Sequence, residues 1–183
     1  MINNKNIPLI ILNGCGGVGK DTFVNICSEY LSLENYSTID KYKFIAKHNF
    51  NWDGIKDEKG RRLLSDLKLA GVRYNDAPLN ELIQTYDESN SCHLVDIFFC
   101  MCRDIEEIEK IKNHYPHAIT ALIVNDNVEH ISTNVGDDNV MNYEYDYVID
   151  NNGTLEDLKE TAKTFLENIF ECSIEDIEKG KDF

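Results

Sequence analysis

Apolar residues along this chain follow two rhythms. Short apolar runs at residues 7–12, 36–40, 94–102, 118–124 and 147–149 have the length and the β-branched and aromatic content of strands. The runs at 94–102 and 118–124 are apolar almost throughout, which predicts strands covered on both faces. Between the runs the spacing lengthens to three or four residues, the period of one helix face. Phe23, Val24, Cys27, Tyr30 and Leu31 mark the first such helix, and Tyr42, Ile45 and Ala46 the second. Leu63, Leu64, Leu67 and Ala70 pattern a helix over 58–70, and Leu82, Ile83 and Tyr86 one over 79–89. Ile105, Ile108 and Ile111 follow, and the last long helix runs from the N-cap Thr154 to about 170 on Leu155, Leu158, Ala162, Phe165, Leu166 and Ile169. Turns are signalled at Asp53-Gly54 and Asn151-Asn152-Gly153. Residues 74–78 read as a loop, 125–142 as the longest irregular stretch, and 173–183 as a short helix or frayed tail. Strands and helices alternate throughout. This predicts an α/β three-layer sandwich with a mostly parallel five-stranded sheet, in one domain spanning 1–183.

The first strand-to-helix junction states a chemistry. The apolar run stops at Gly14, Cys15, Gly16, Gly17, Val18, Gly19 and Lys20, which match the G-x-x-x-x-G-K frame of a phosphate-binding loop between a strand and a helix. Glycines let the backbone take positive φ and approach a polyphosphate with no Cβ in the way. Successive N–H groups and the helix N-terminus then face the anion, and Lys20 adds a cation for the β- and γ-phosphates. A Ser or Thr usually follows the lysine and holds Mg²⁺; here Asp21 stands there and Thr22 comes next. Either residue can orient the metal, since a carboxylate binds Mg²⁺ directly or through water.

Charge narrows the partners. The formal net charge of −15 over 183 residues opposes nucleic acids and anionic membranes, so a substrate phosphate has to be captured by a local group of cations. No segment reads as a signal peptide or a membrane span. The six cysteines lie without the C-x-x-C pairs of a zinc site, which favours a reducing cytoplasm. Cys15, inside the loop beside Lys20, is the one thiol with reason to be reactive. The five histidines match no triad or metal spacing.

The chain has only four arginines, and Arg61, Arg62 and Arg73 lie within thirteen residues of one another. Arginine grips phosphate bidentately, so the group is a candidate acceptor site, with Lys68 beside it on the polar side of the helix. The fourth, Arg103, follows the central strand. Asp40, read as the end of the second strand, stands at the sheet edge where ligands sit in open α/β folds.

The GKDT string of Gly19 to Thr22 resembles the phosphate loop of the deoxynucleoside monophosphate kinases and phosphomevalonate kinases. STIDKYK at 37–43, RRLLSDL at 61–67, Arg103 with Glu107, and YDYVIDNNGTLEDL at 145–158 are similar to further segments of that branch. The resemblance implies that ATP-Mg²⁺ on the loop donates to a small phosphorylated acceptor held near Asp40, Lys43 and Arg61. It also implies that Lys20 and Arg103 stabilise the migrating charge. Two departures stand out. Met101 replaces an aspartate two residues before the arginine, and residues 125–142, the expected lid, contain no Arg or Lys. Transition-state charge then falls to Arg103, Lys110 or a partner subunit in a homodimer. The competing reading is a nucleotide-binding sensor or interaction module without transferase activity.

Overall fold

The computed structural model describes residues 6–128 and 140–179. Five strands form one sheet: β1 (Leu9–Asn13), β2 (Leu33–Ser37), β3 (Ile97–Met101), β4 (Ile119–Val124) and β5 (Tyr147–Asp150). The helices are α1 (Lys20–Cys27), α2 (Asp40–Phe50), α3 (Glu58–Asn75), α4 (Ala77–Cys92), α5 (Ile105–His114), α6 (Leu155–Phe170) and α7 (Ile174–Glu178). A single 3-10 turn, Val140–Asn142, precedes β5.

The strand order is β2-β3-β1-β4-β5, and every pairing is parallel. All strand C-termini therefore share one edge. The chain steps outward from β1 to β2, returns through β3, and then crosses to β4 on the far side of β1. That reversal opens a crevice above the C-terminal ends of β1, β3 and β4, the place where open parallel sheets bind ligands.

Side chains of β1 alternate between two cores, because successive residues of a strand point to opposite faces. Ile10 and Leu12 pack with Phe23, Val24 and Cys27 of α1 and with Leu158, Phe165 and Leu166 of α6. Leu9 and Ile11 pack with Leu82 and Tyr86 of α4 and Ile108 and Ile111 of α5. Edge-on aromatic contacts tie each layer, Phe23 to Phe165 on one face and Tyr86 to Phe98 on the other, both with ring centroids 5.5 Å apart. Full burial of β1 is worth about 1.5–3 kcal/mol for each large apolar side chain, which makes the strand carrying the loop a rigid platform.

Three expectations about boundaries change. The second strand spans 33–37 rather than 36–40, because parallel register with β3, Leu33 opposite Ile97 through Ser37 opposite Met101, outweighs local propensity. Asp40 consequently opens α2 instead of ending a strand. The loop expected at 74–78 shrinks to Asp76, in the left-handed region at φ 51°, which joins α3 directly to α4. Pro78 is accommodated in the first turn of α4, where its missing N–H costs nothing. The chain beyond 173 forms α7, capped by Ser173 and anchored by the buried Ile177.

Candidate active site

The loop between β1 and α1 has the backbone of a phosphate cradle. Gly14, Gly17 and Gly19 take φ of 142°, 86° and 100°, conformations that only glycine adopts readily. Gly19 also lies against Asn151 of the β5–α6 turn, whose Nδ2 donates to the carbonyl of Val18 at 2.8 Å. Gly16 and Gly17 are exposed, and no side-chain hydrogen bond caps the N-terminus of α1 at Gly19, the helix end whose amides favour an anion. Lys20 folds its ammonium into the loop, donating to the carbonyls of Gly14 at 2.5 Å and Cys15 at 2.7 Å. Helix N-terminal amides beside a lysine ammonium are a donor set of the kind that suits phosphate.

Asn13, the last residue of β1, ties this loop to its surroundings. It is fully buried, accepts from the amide of Gly14 at 2.7 Å and donates to the hydroxyl of Tyr145 at 2.7 Å. Tyr145 in turn donates to the carbonyl of Val140 at 2.9 Å. Nothing in the periodicity singles out Asn13, although a polar residue closing an apolar strand is a signal that could have been used.

Arg103, from the turn after β3, reaches over the loop. Its Nη2 lies 4.0 Å from where a Cβ on Gly16 would stand. Lys20 and Arg103 are thus the sequence-selected cations that the fold brings to one place. Asp21 and Thr22 are both exposed on the first turn of α1, beside the same cradle. Met101 ends β3 partly buried against the α1-side core, so no carboxylate projects there. Among the described residues no three Asp, Glu, His or Cys side chains gather as a metal site. Asp21→Ala is expected to weaken the Mg²⁺ dependence of nucleotide binding more than metal-free binding. An unchanged magnesium titration would assign the role to Thr22.

The remaining candidates are spread out. Arg61 sits in the first turns of α3 with its Nε donating to the carbonyl of Lys56 at 2.8 Å. Arg62 is 84% exposed and pairs with Asp66 at 3.9 Å, and Arg73 is exposed near the far end of the helix. Neighbouring helix positions diverge by about 100°, and twelve residues advance about 18 Å along the axis, so the three guanidiniums do not converge. Asp40 is paired with Lys43 at 2.5 Å and faces a groove of about 400 Å³ beside edge strand β2, between Tyr36, Phe44 and Glu81. Lys110 is held by Asp76 at 2.5 Å, where α3 meets α4. Residues 129–139, most of the expected lid, lie outside the described residues.

A second group was not read as a unit. Lys68 of α3, expected on the polar side of the helix, turns inward and donates to Glu107 of α5 at 2.6 Å and to Thr38 at 3.0 Å. Cys102, one residue before Arg103, donates to the same Glu107 oxygen at 3.0 Å. Burial pulls the ammonium of Lys68 toward neutrality, but Glu107 beside it wins and holds its pKa above the ordinary lysine value. Burial and the same carboxylate push the Cys102 thiol well up, so it stays protonated and donates.

A solved structure of a sugar kinase from a Janibacter species superposes with a TM-score of 0.50 at 15% identity, covering 87% of this chain and 94% of that one. The likeness is one of fold, an α/β sandwich around a parallel five-stranded sheet. A shikimate kinase from Aquifex aeolicus gives a TM-score of 0.46 at 13% identity over 88% of this chain and 98% of that one. No protein-family model matches the chain, and no curated protein does. No described helix is long and apolar enough to cross a membrane.

Proposed function

We propose that this chain is an ATP-dependent phosphotransferase acting on a small phosphorylated metabolite of the nucleoside monophosphate kind. The observation that carries the reading is the meeting of two cations from distant parts of the chain, Lys20 within the loop and Arg103 over Gly16. Arginine and lysine at one glycine-rich turn suit the charge of a polyphosphate. When bound, ATP supplies the γ-phosphoryl group and Mg²⁺ neutralises its oxygens.

The chain's own residues perform the rest. The amides of the loop and of the first turn of α1 bind and orient the phosphates, with Lys20 placed for the charge nearest the reacting end. Arg103 stabilises negative charge that develops between donor and acceptor, and Asp21 or Thr22 orients the metal. Arg61, at the start of α3, binds the acceptor phosphate with its guanidinium. No general base is obligatory, because a phosphate acceptor is already nucleophilic when positioned.

Met101 favours a second reading, a nucleotide-binding sensor, because the end of β3 then adds nothing to the metal. The two readings separate in one assay, release of ADP from ATP-Mg²⁺ across a panel of nucleoside monophosphates and other phosphomonoesters. Acceptor-dependent ADP release is expected, reduced about a hundredfold or more in Arg103→Ala. Arg61→Ala should lower transfer more than it lowers ATP affinity. ATP binding without ADP release on any acceptor would leave only the sensor.

A further inference from the structure

The group of Lys68 from α3, Glu107 from α5 and Thr38 after β2 meets Cys102 just past the C-terminal end of β3, the strand that pairs with β1. The amide of Cys102 donates to the carbonyl of Leu12, so the segment that contacts Glu107 runs directly beside the end of β1. Oε2 of Glu107 accepts from Lys68 at 2.6 Å, Cys102 at 3.0 Å and Thr38 at 3.3 Å, while Oε1 accepts from no described residue. An ammonium has three N–H donors, and Lys68 places one on Glu107 and one on Thr38. One carboxylate oxygen and one N–H of this ion pair thus retain hydrogen-bonding capacity toward the described residues.

Thr38 shows what such a pair accepts. Its hydroxyl receives a hydrogen bond from Lys68 and gives one to Glu107. Close by, the hydroxyl of Tyr42 is buried and has no hydrogen-bond partner among the described residues. It lies in the field of Glu81, Lys68 and Glu107, and Gly71 of α3 leaves the room that it occupies. Tyr36 stands in the field of Glu81 and Glu107 and lines the groove beside β2. Holding α3 to the sheet does not require an ion pair. Apolar side chains of like volume do so without desolvating two charges.

We propose that Lys68 and Glu107 read the vicinal hydroxyls of the acceptor, which is a ribose-bearing phosphomonoester. One hydroxyl donates to Oε1 of Glu107 and its neighbour accepts from Lys68, repeating what Thr38 does on the other side of the pair. The word acceptor rests on the phosphotransferase reading, but the recognition is testable without it. A free sugar phosphate and a ribonucleotide carry the same diol, and both belong in the test.

Calorimetric titration of the full chain, without ATP, with ribose 5-phosphate, 2-deoxyribose 5-phosphate and paired ribo- and 2′-deoxyribonucleoside monophosphates decides the matter. The ribo form of at least one pair is expected to bind at least tenfold more tightly, and which pair shows the preference tells sugar phosphate from nucleotide. Glu107→Gln and Lys68→Met should each erase the preference while affecting the deoxy form little. Equal affinity within every pair, or no binding of any of these compounds, overturns the proposal, as does a preference that survives Glu107→Gln. If a variant fails to fold, the wild-type ratio alone decides. A diol preference without ADP release would remove the phosphotransferase reading and leave the diol site. Acceptor-dependent ADP release with no preference for the diol would do the reverse.

Discussion

Lys20→Ala is expected to weaken ATP-Mg²⁺ binding by at least tenfold, read by calorimetry, and to abolish any acceptor-dependent ADP release. Tenfold corresponds to about 1.4 kcal/mol, a small demand on an ammonium facing a polyphosphate at a site walled by protein. The side chain occupies the loop itself, on the carbonyls of Gly14 and Cys15, so its loss removes the charge at the centre of the cradle. Stability should fall by only about 0.5–1.5 kcal/mol, the usual worth of partly exposed hydrogen bonds. Folding and binding therefore separate in this variant. Equal affinity for wild type and mutant would remove the loop from nucleotide binding altogether.

Gly14→Ala should act in the opposite way, on the fold first. At φ 142° an L-residue is strained, and the new Cβ would stand 2.6 Å from the carbonyl oxygen of Ile123 and 2.9 Å from Cγ2 of Val18. The nearest obstacle is backbone of the adjacent strand β4, which cannot rotate aside as a flexible side chain would. Either β4 shifts or the loop lifts off the sheet. A loss of about 2–4 kcal/mol is expected, lowering Tm by about 5–15 °C for a chain of this size. Nucleotide affinity should fall with it, because the loop must move. A variant that melts with the wild type would mean that the loop accommodates the methyl group, contrary to the geometry.

Local pattern alone determined a good deal. The apolar runs and the three-to-four spacing placed five strands and the main helices, because burial of a strand or a helix face imposes its period on neighbouring residues. The glycine-lysine frame marked the junction of β1 and α1 for the same local reason: strand, turn and helix are contiguous in the chain. What the pattern missed depends on residues far apart. β2, with the mixed sequence Leu33-Glu34-Asn35-Tyr36-Ser37, takes its boundaries from pairing with β3, and Asp40 moves with it. The clustering of Arg61, Arg62 and Arg73 along the sequence becomes divergence in space, since a helix turns each away from the next. Lys68 looked like one more solvated lysine until α5 brought Glu107 beneath it, and Arg103 acquired its place over Gly16 only when β3 paired with β1. Charged side chains carry no period of their own to say which way they face. Their partners are settled by which strands become neighbours, and that is a property of the whole fold.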